Sequence, residues 1–174
     1  MISPKFNDGF SLIELLLVVA IVGIISAIAV PNLLSSKRSA NEAAALSAMR
    51  IISSGEATYL VTAGAGLYGD LAALRNQSLV DEAIGAATIA GPGTPKAGYL
   101  FSAANIVGAG APAFDAKAQP VIHTSASSIF ATGSRSYFIN ENGVIYFNTT
   151  GTAPTCTATS ARTVTPGAGG GALN

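Results

Sequence analysis

Gly9-Phe10-Ser11-Leu12-Ile13-Glu14-Leu15-Leu16-Leu17-Val18-Val19-Ala20-Ile21-Val22-Gly23-Ile24-Ile25-Ser26-Ala27-Ile28-Ala29-Val30-Pro31 is the stretch on which the reading of this sequence turns. From Phe10 to Val30 it holds a single ionisable group, Glu14. Wound as an α-helix at ~1.5 Å per residue it reaches about 32 Å, close to a bilayer hydrocarbon core of about 30 Å. By length and composition it reads as a membrane span. Residues 1–9 ahead of it carry the polar side chains Ser3, Lys5, Asn7 and Asp8. A permanent signal anchor fits this pattern. So does an ordinary secretory signal, because Ala27-Ile28-Ala29 is a small-x-small site whose cleavage would leave Val30 first. Against the second stand the length of the apolar run, beyond the usual ~7–15 residues, and the carboxylate inside it.

That carboxylate needs an account. A lone Glu costs a few kcal/mol at mid-membrane and less near the end of a span, and such groups usually have a partner. Glu14 lies near the start, so one reading has it reach the cytoplasmic interface. The other gives it a cationic partner.

A third reading of the segment comes from resemblance. Gly9-Phe10-Ser11-Leu12-Ile13-Glu14-Leu15 resembles the type IV prepilin processing motif. The similarity continues through Val18 to Ile24 and through Ala27 to Asn32, and covers roughly the first 50 residues. The resemblance implies that a prepilin peptidase cuts after Gly9 and methylates the new amine of Phe10. It also implies that Glu14 attracts the Phe10 amine of a neighbouring subunit during assembly. That amine is positive at neutral pH, and burying the two as a pair leaves neither uncompensated. Glu14 would then select register between subunits more than add stability. Charge counting points the other way on orientation. Lys5 is offset by Asp8, while Lys37 and Arg38 follow the span, so lysine and arginine counts favour a cytoplasmic C-terminal side. Long domains translocate largely regardless of charge, and the resemblance places the leader in the cytoplasm.

After Pro31 no strong helix breaker occurs until Gly55. Leu34, Ala45, Met49, Ile52, Tyr59 and Leu60 fall at mostly helical spacing, with Lys37, Arg38, Glu42 and Arg50 on a polar side. One long helix from about Ser11 to Ala63 is expected, its second half laying an apolar stripe on a globular head. Pro31 removes a backbone donor and Gly23 is a second weak point, so a helix break is expected at Gly23 and Pro31. In the lone subunit this reads as a kink; the resemblance implies local loss of helix between them in a filament. The only aromatics from Phe10 to Ala63 are Phe10 and Tyr59, too few for conduction along stacked rings.

In the head, Asp70 to about Ala87 reads as a short helix with Asp70 as N-cap and Leu71, Leu74, Leu79 and Ile84 as apolar contacts. Ala90 to Pro95 is a loop. Gly98 to Ala103 reads as a strand. Ala113–Ala118 and Gln119–Thr124 are weaker strand candidates, and Pro120 suits an edge. Arg135–Ile139 and Val144–Phe147 form the clearest pair, joined by turn residues Asn140 to Gly143. The stretch from Gly133 to Ile145 is similar to the last hairpin of many pilin-like proteins. Residues 149–174 are rich in Thr, Ala, Gly and Pro, with few large apolar groups, and are expected to be a flexible or surface tail. Many pilins close this region with a disulfide. The chain has one cysteine, Cys156, so it has no intrachain disulfide; a free thiol or an intersubunit link remain.

Composition narrows the function classes. Nine basic and nine acidic residues give a formal net charge of +0, so no bulk field draws nucleic acid. The apolar share is 49% and the charged share 10%, the excess concentrated in the N-terminal run. The single histidine, His123, with Asp115 and many serines, leaves a Ser-His-Asp set open by counting, but no nucleophile elbow, phosphate loop or metal-ligand spacing accompanies it. No enzymatic activity, cofactor or metal is expected. Asn76-Gln77-Ser78 and Asn148-Thr149-Thr150 fit the glycosylation triplet, a pattern that also arises by chance.

The expected fold class is α+β, a long N-terminal helix packed against a small antiparallel sheet, the pilin fold. The expected division is a leader at 1–9, a transmembrane or filament-core helix at 10–31, an amphipathic helix at 32–63, an α+β head at 64–148 and the tail at 149–174. The resemblance implies an inner-membrane precursor that is assembled, by a platform and an ATPase motor, into a homopolymer with minor pilins at the cell surface or in the periplasm. Adhesion, motility, DNA uptake and secretion all use such filaments. A type II secretion pseudopilin is the alternative within the family; the head lacks the acidic C-terminal loop of the major pseudopilin, and Glu14 is present, unlike in certain tip subunits. A secreted or membrane-anchored binding protein with an ordinary signal, or an exported hydrolase, are the readings from other classes.

Overall fold

The computed structural model describes residues 10–107, 110–124, 130–157 and 162–173. The chain divides into two compact units, 1–36 and 37–174. Helix α1, Leu12–Val61, supplies the described part of the first unit and continues into the second, and both Gly23 and Pro31 lie within it. In the first unit, every described residue from Phe10 to Leu33 is exposed; Leu12 is 81% and Ile28 67% exposed.

In the second unit α1 turns amphipathic. Ala45, Ala48, Met49 and Ile52, at helical spacing, are buried in the main core. The expected helix over 70–87 is two helices. Asp70 caps α2, Leu71–Asn76, its side chain accepting the Ala73 N–H at 2.7 Å. Asp81 caps α3, Glu82–Ala86, accepting the Ile84 N–H at 2.6 Å. Between them Ser78 adopts φ +56°, a left-handed turn that no continuous helix accommodates. Asp81 was the missed signal, a second capping residue inside the apolar pattern.

The sheet runs β1 (Tyr99–Asn105), β2 (Phe114–Pro120), β3 (Ser136–Asn140), β4 (Ile145–Asn148) and β7 (Gly171–Leu173), in that spatial order, all antiparallel. Of the two weak strand candidates, Ala113–Ala118 becomes β2, which runs on to Pro120; the rest of Gln119–Thr124 is not strand beyond the isolated bridge at His123. Pro120 is not on an edge strand: β2 lies between β1 and β3. The register with β3 ends at Ala118, so Pro120 sits past the last β3 pairing and its missing donor disturbs no ladder there. The β3–β4 turn closes with the Gly143 N–H donating to the Asn140 carbonyl at 2.9 Å.

Strand alternation divides the sheet residues. Tyr137 and Ile139 join Phe101, Ala103, Ala116, Ala118 and Ile145 in the core shared with α1. Phe138 faces the other way, beside Lys117 of β2 and Tyr146 of β4, yet it is fully buried, as are Ser136 and Asn140. What covers that outer face is the C-terminal region. The ribbon of β5 (Thr155–Cys156) and β6 (Val164–Thr165) meets it, with the Asn140 amide donating to the Cys156 sulfur at 3.8 Å. Ala153 and Pro154 are buried. The described residues of 149–174, expected as a flexible or surface tail, thus contribute a ribbon and the fifth sheet strand. Composition misled because backbone ladders need no large side chains. Small residues even help: a Cβ on Gly170 would lie 2.2 Å from the Phe147 carbonyl oxygen.

Candidate functional site

The start of α1 gathers the residues that the sequence marked. The Ser11 carbonyl accepts from the Glu14 N–H at 3.1 Å and the Leu15 N–H at 3.2 Å, which opens the helix immediately after Phe10. Glu14 is in the first turn. Ser11-x-x-Glu14 has the spacing of a capping box, a second reason for a carboxylate at this position. A negative group there also meets the positive end of the helix dipole, which offsets part of the cost of holding it at the edge of an apolar span. Phe10 is 73% exposed and Glu14 is exposed. Gly9 lies outside the described residues, as do Lys5 and Asp8.

Downstream the helix is apolar on all sides and wholly exposed as far as Val30, the pattern of a segment whose solvent is lipid or other protein. Gly23 faces open space: a Cβ there would meet nothing within 4 Å. Pro31 is exposed inside the helix.

The other marked residues fall in the second unit. His123 lies in an isolated bridge with Gly133, and its Nε2 is 2.9 Å from the Ser134 carbonyl oxygen. Asp115 is bound to Arg162. Cys156 is a half-buried free thiol, and burial pushes its pKa up. Asn148 is 3% exposed, with its side-chain oxygen accepting the Thr150 N–H at 3.3 Å, so it is closed to a glycosylating enzyme in the folded head. Asn76 is exposed at the end of α2.

One cluster escaped the sequence reading. Arg162 sits between two carboxylates. It pairs with Asp115 through Nη2, and its Nε donates to Glu141 Oε1 at 2.9 Å. Nη2 also donates to Glu141 Oε2 at 3.1 Å and to the Phe114 carbonyl at 3.0 Å; Nη1 donates to the Thr157 carbonyl at 3.3 Å. The side chains of Arg162 and Asp115 are 8% and 12% exposed. Burial alone would lower the guanidinium pKa; the hydrogen bonds to Glu141 and Asp115 overcome it and hold the pKa raised. The signal was present in the sequence: Arg162 is the only charged side chain after Asn148.

In a comparison with known families, residues 5–30 fit the family described as the prokaryotic N-terminal methylation motif. No curated protein and no solved structure matches the chain. The matched stretch ends one residue before Pro31 and includes Gly9, Phe10, Glu14 and Gly23. It implies processing by a prepilin peptidase and fits an inner-membrane-anchored precursor. This motif, leading a long apolar helix with a five-stranded antiparallel sheet behind it, supports a type IV pilin- or pseudopilin-like prepilin.

Proposed function

We propose that the chain is a structural, non-enzymatic subunit of a type IV pilus-like filament. The leader lies in the cytoplasm, the peptidase cuts between Gly9 and Phe10, and the Phe10 amine is methylated. The mature subunit stays in the inner membrane with its head on the far side until a platform and motor move it into the filament. There the segments from Phe10 to Pro31 bury their apolar faces against one another instead of lipid.

The observation that carries this is the position of Glu14. It is the one ionisable group in the apolar run, it sits in the first turn of α1, and it follows Phe10 by about one helical turn. A carboxylate so placed has a natural partner in the amine that cleavage would create on a neighbouring copy. In the filament, helix is lost between Gly23 and Pro31, the two poorest helix formers of the run. Complete protection of those amides from exchange in assembled filaments would exclude that loss.

The mature N-terminus tests the reading directly. Intact mass and N-terminal sequencing of the membrane-purified protein are expected to give a methylated Phe10. A Val30 start identifies an ordinary secretory signal, and a Met1 start an uncut anchor. Electron microscopy of sheared cell surfaces, with and without this gene, then separates a surface pilus from a periplasmic pseudopilus.

A further inference from the structure

We propose that the β5–β6 ribbon is a strap that closes over the outer face of the sheet and is held shut by an ionic latch, Arg162 between Asp115 and Glu141. The three residues come from separate parts of the second unit. Asp115 is on β2, in the row that pairs with Asn140 of β3 and faces away from the α1 core. Glu141 opens the β3–β4 turn. Arg162 leads into β6. Its guanidinium makes donor contacts to Asp115, to both oxygens of Glu141 and to the carbonyls of Phe114 and Thr157, so one side chain ties the ribbon to β2 and to the β3–β4 turn.

The latch has to do this work because the strap has little else to close it. Its described residues, 152–157 and 162–165, are chiefly Thr, Ala and Cys, with Pro154 and Val164 the largest apolar groups. Apolar burial therefore contributes little per residue. Among the described residues the β5–β6 ribbon pairs with itself, through Thr155–Thr165 and Cys156–Val164, and adds no ladder bond to the sheet. A buried ion cluster adds modest net stability, but pulling one partner out strands the others, so it favours one closed position sharply. A segment with few large apolar groups, tied to the sheet through this cluster and the Asn140–Cys156 contact, is one that opens below the cost of unfolding the sheet. Opening uncovers Phe138, Asn140 and the Cys156 thiol. Closure of this kind needs no oxidation, which suits a chain with one cysteine.

Arg162 is also a trypsin site, so the protease reads the latch itself. The full chain in non-ionic detergent is digested, and peptide mass spectrometry follows two bonds, Arg162–Thr163 and Arg135–Ser136. The second enters β3 and reports opening of the sheet. Asp115→Asn with Glu141→Gln keeps the Arg162 site and removes both anions. Cleavage at Arg162 is expected to rise about tenfold or more over the wild type, with Arg135 cleavage unchanged. Glu141→Gln alone, the milder change, is expected to give an intermediate rise, and serves if the double variant does not fold. Wild-type cleavage at Arg162 as fast as in the variants overturns the latch. Equal acceleration at both bonds overturns the strap, since the cluster then holds the whole sheet.

Discussion

Glu56 accepts the backbone N–H of Gly69 at 2.9 Å through Oε2, while its Oε1 is buried with no hydrogen-bond partner among the described residues. The side chain lies in the amphipathic part of α1, fully buried, and it holds the exit of the loop that leads into α2. Burial raises its pKa to about 7; the Gly69 hydrogen bond opposes that rise and the nearby Asp70 carboxylate adds to it. Folding therefore prefers the protonated acid. Between the ordinary value of 4.5 and about 7 the folded state binds the proton that the unfolded chain has released. Head stability should be greatest below pH 4.5 as far as this group is concerned, fall as pH rises to 7, and level off above it. The shift corresponds to about 3 kcal/mol. Glu56→Gln keeps an acceptor for Gly69 and removes the charge, so the variant should be more stable than the wild type at pH 8 and lose this pH slope. Urea midpoints of both proteins at pH 5, 6, 7 and 8 check it; parallel curves would assign the slope to other groups.

Gly133 is the closest backbone approach to a core tyrosine. A Cβ there would stand 2.1 Å from the Tyr99 hydroxyl oxygen and 2.7 Å from its ring. Tyr99 cannot step aside easily: it is fully buried, packs beside Tyr137 with ring centroids 6.1 Å apart, and donates to the Arg135 carbonyl at 2.8 Å. Gly133→Ala should destabilise the head by about 1–3 kcal/mol through overpacking. Adding Tyr99→Phe removes the hydroxyl that collides and should recover part of that loss, beyond what the two single changes would sum to. A double-mutant cycle in thermal unfolding measures the recovery.

How far these relationships were legible in the sequence depends on the range over which they act. The apolar run, the cap at Asp70 and the β3–β4 hairpin are local patterns, and each appears where the spacing put it. The cut at Asp81 was local too, but an apolar pattern running through Leu79 and Ile84 masked it. The tail was not legible from composition because its order rests on partners far along the chain. Leu173 pairs with Ile145, and Arg162 reaches Asp115. Neither partnership leaves a periodic trace. Glu56 was hidden for a different reason: a carboxylate on an amphipathic helix is ordinarily solvated, and only the loop ending at Gly69 buries it.

The start of α1 sets the most direct trial of filament assembly. Glu14→Ala removes a carboxylate that makes no contribution to the head core, since Glu14 is exposed and belongs to the other compact unit. It also makes the span more apolar, so insertion in the membrane should be undiminished. Cleavage after Gly9 and methylation of Phe10 should proceed, because both act on the single subunit. Under the proposed pairing, the step that fails is the one in which one copy's carboxylate meets another copy's amine. An amine buried in the bundle without a counter-charge carries a penalty of several kcal/mol, and each 1.4 kcal/mol is tenfold in an equilibrium. The yield of sheared filaments should thus fall by about tenfold or more at equal membrane levels of mature subunit. Immunoblots of sheared and membrane fractions read both quantities. Normal filament yield from the alanine variant would mean that the apolar helix assembles without this pairing, and Glu14 would be left as a helix cap alone.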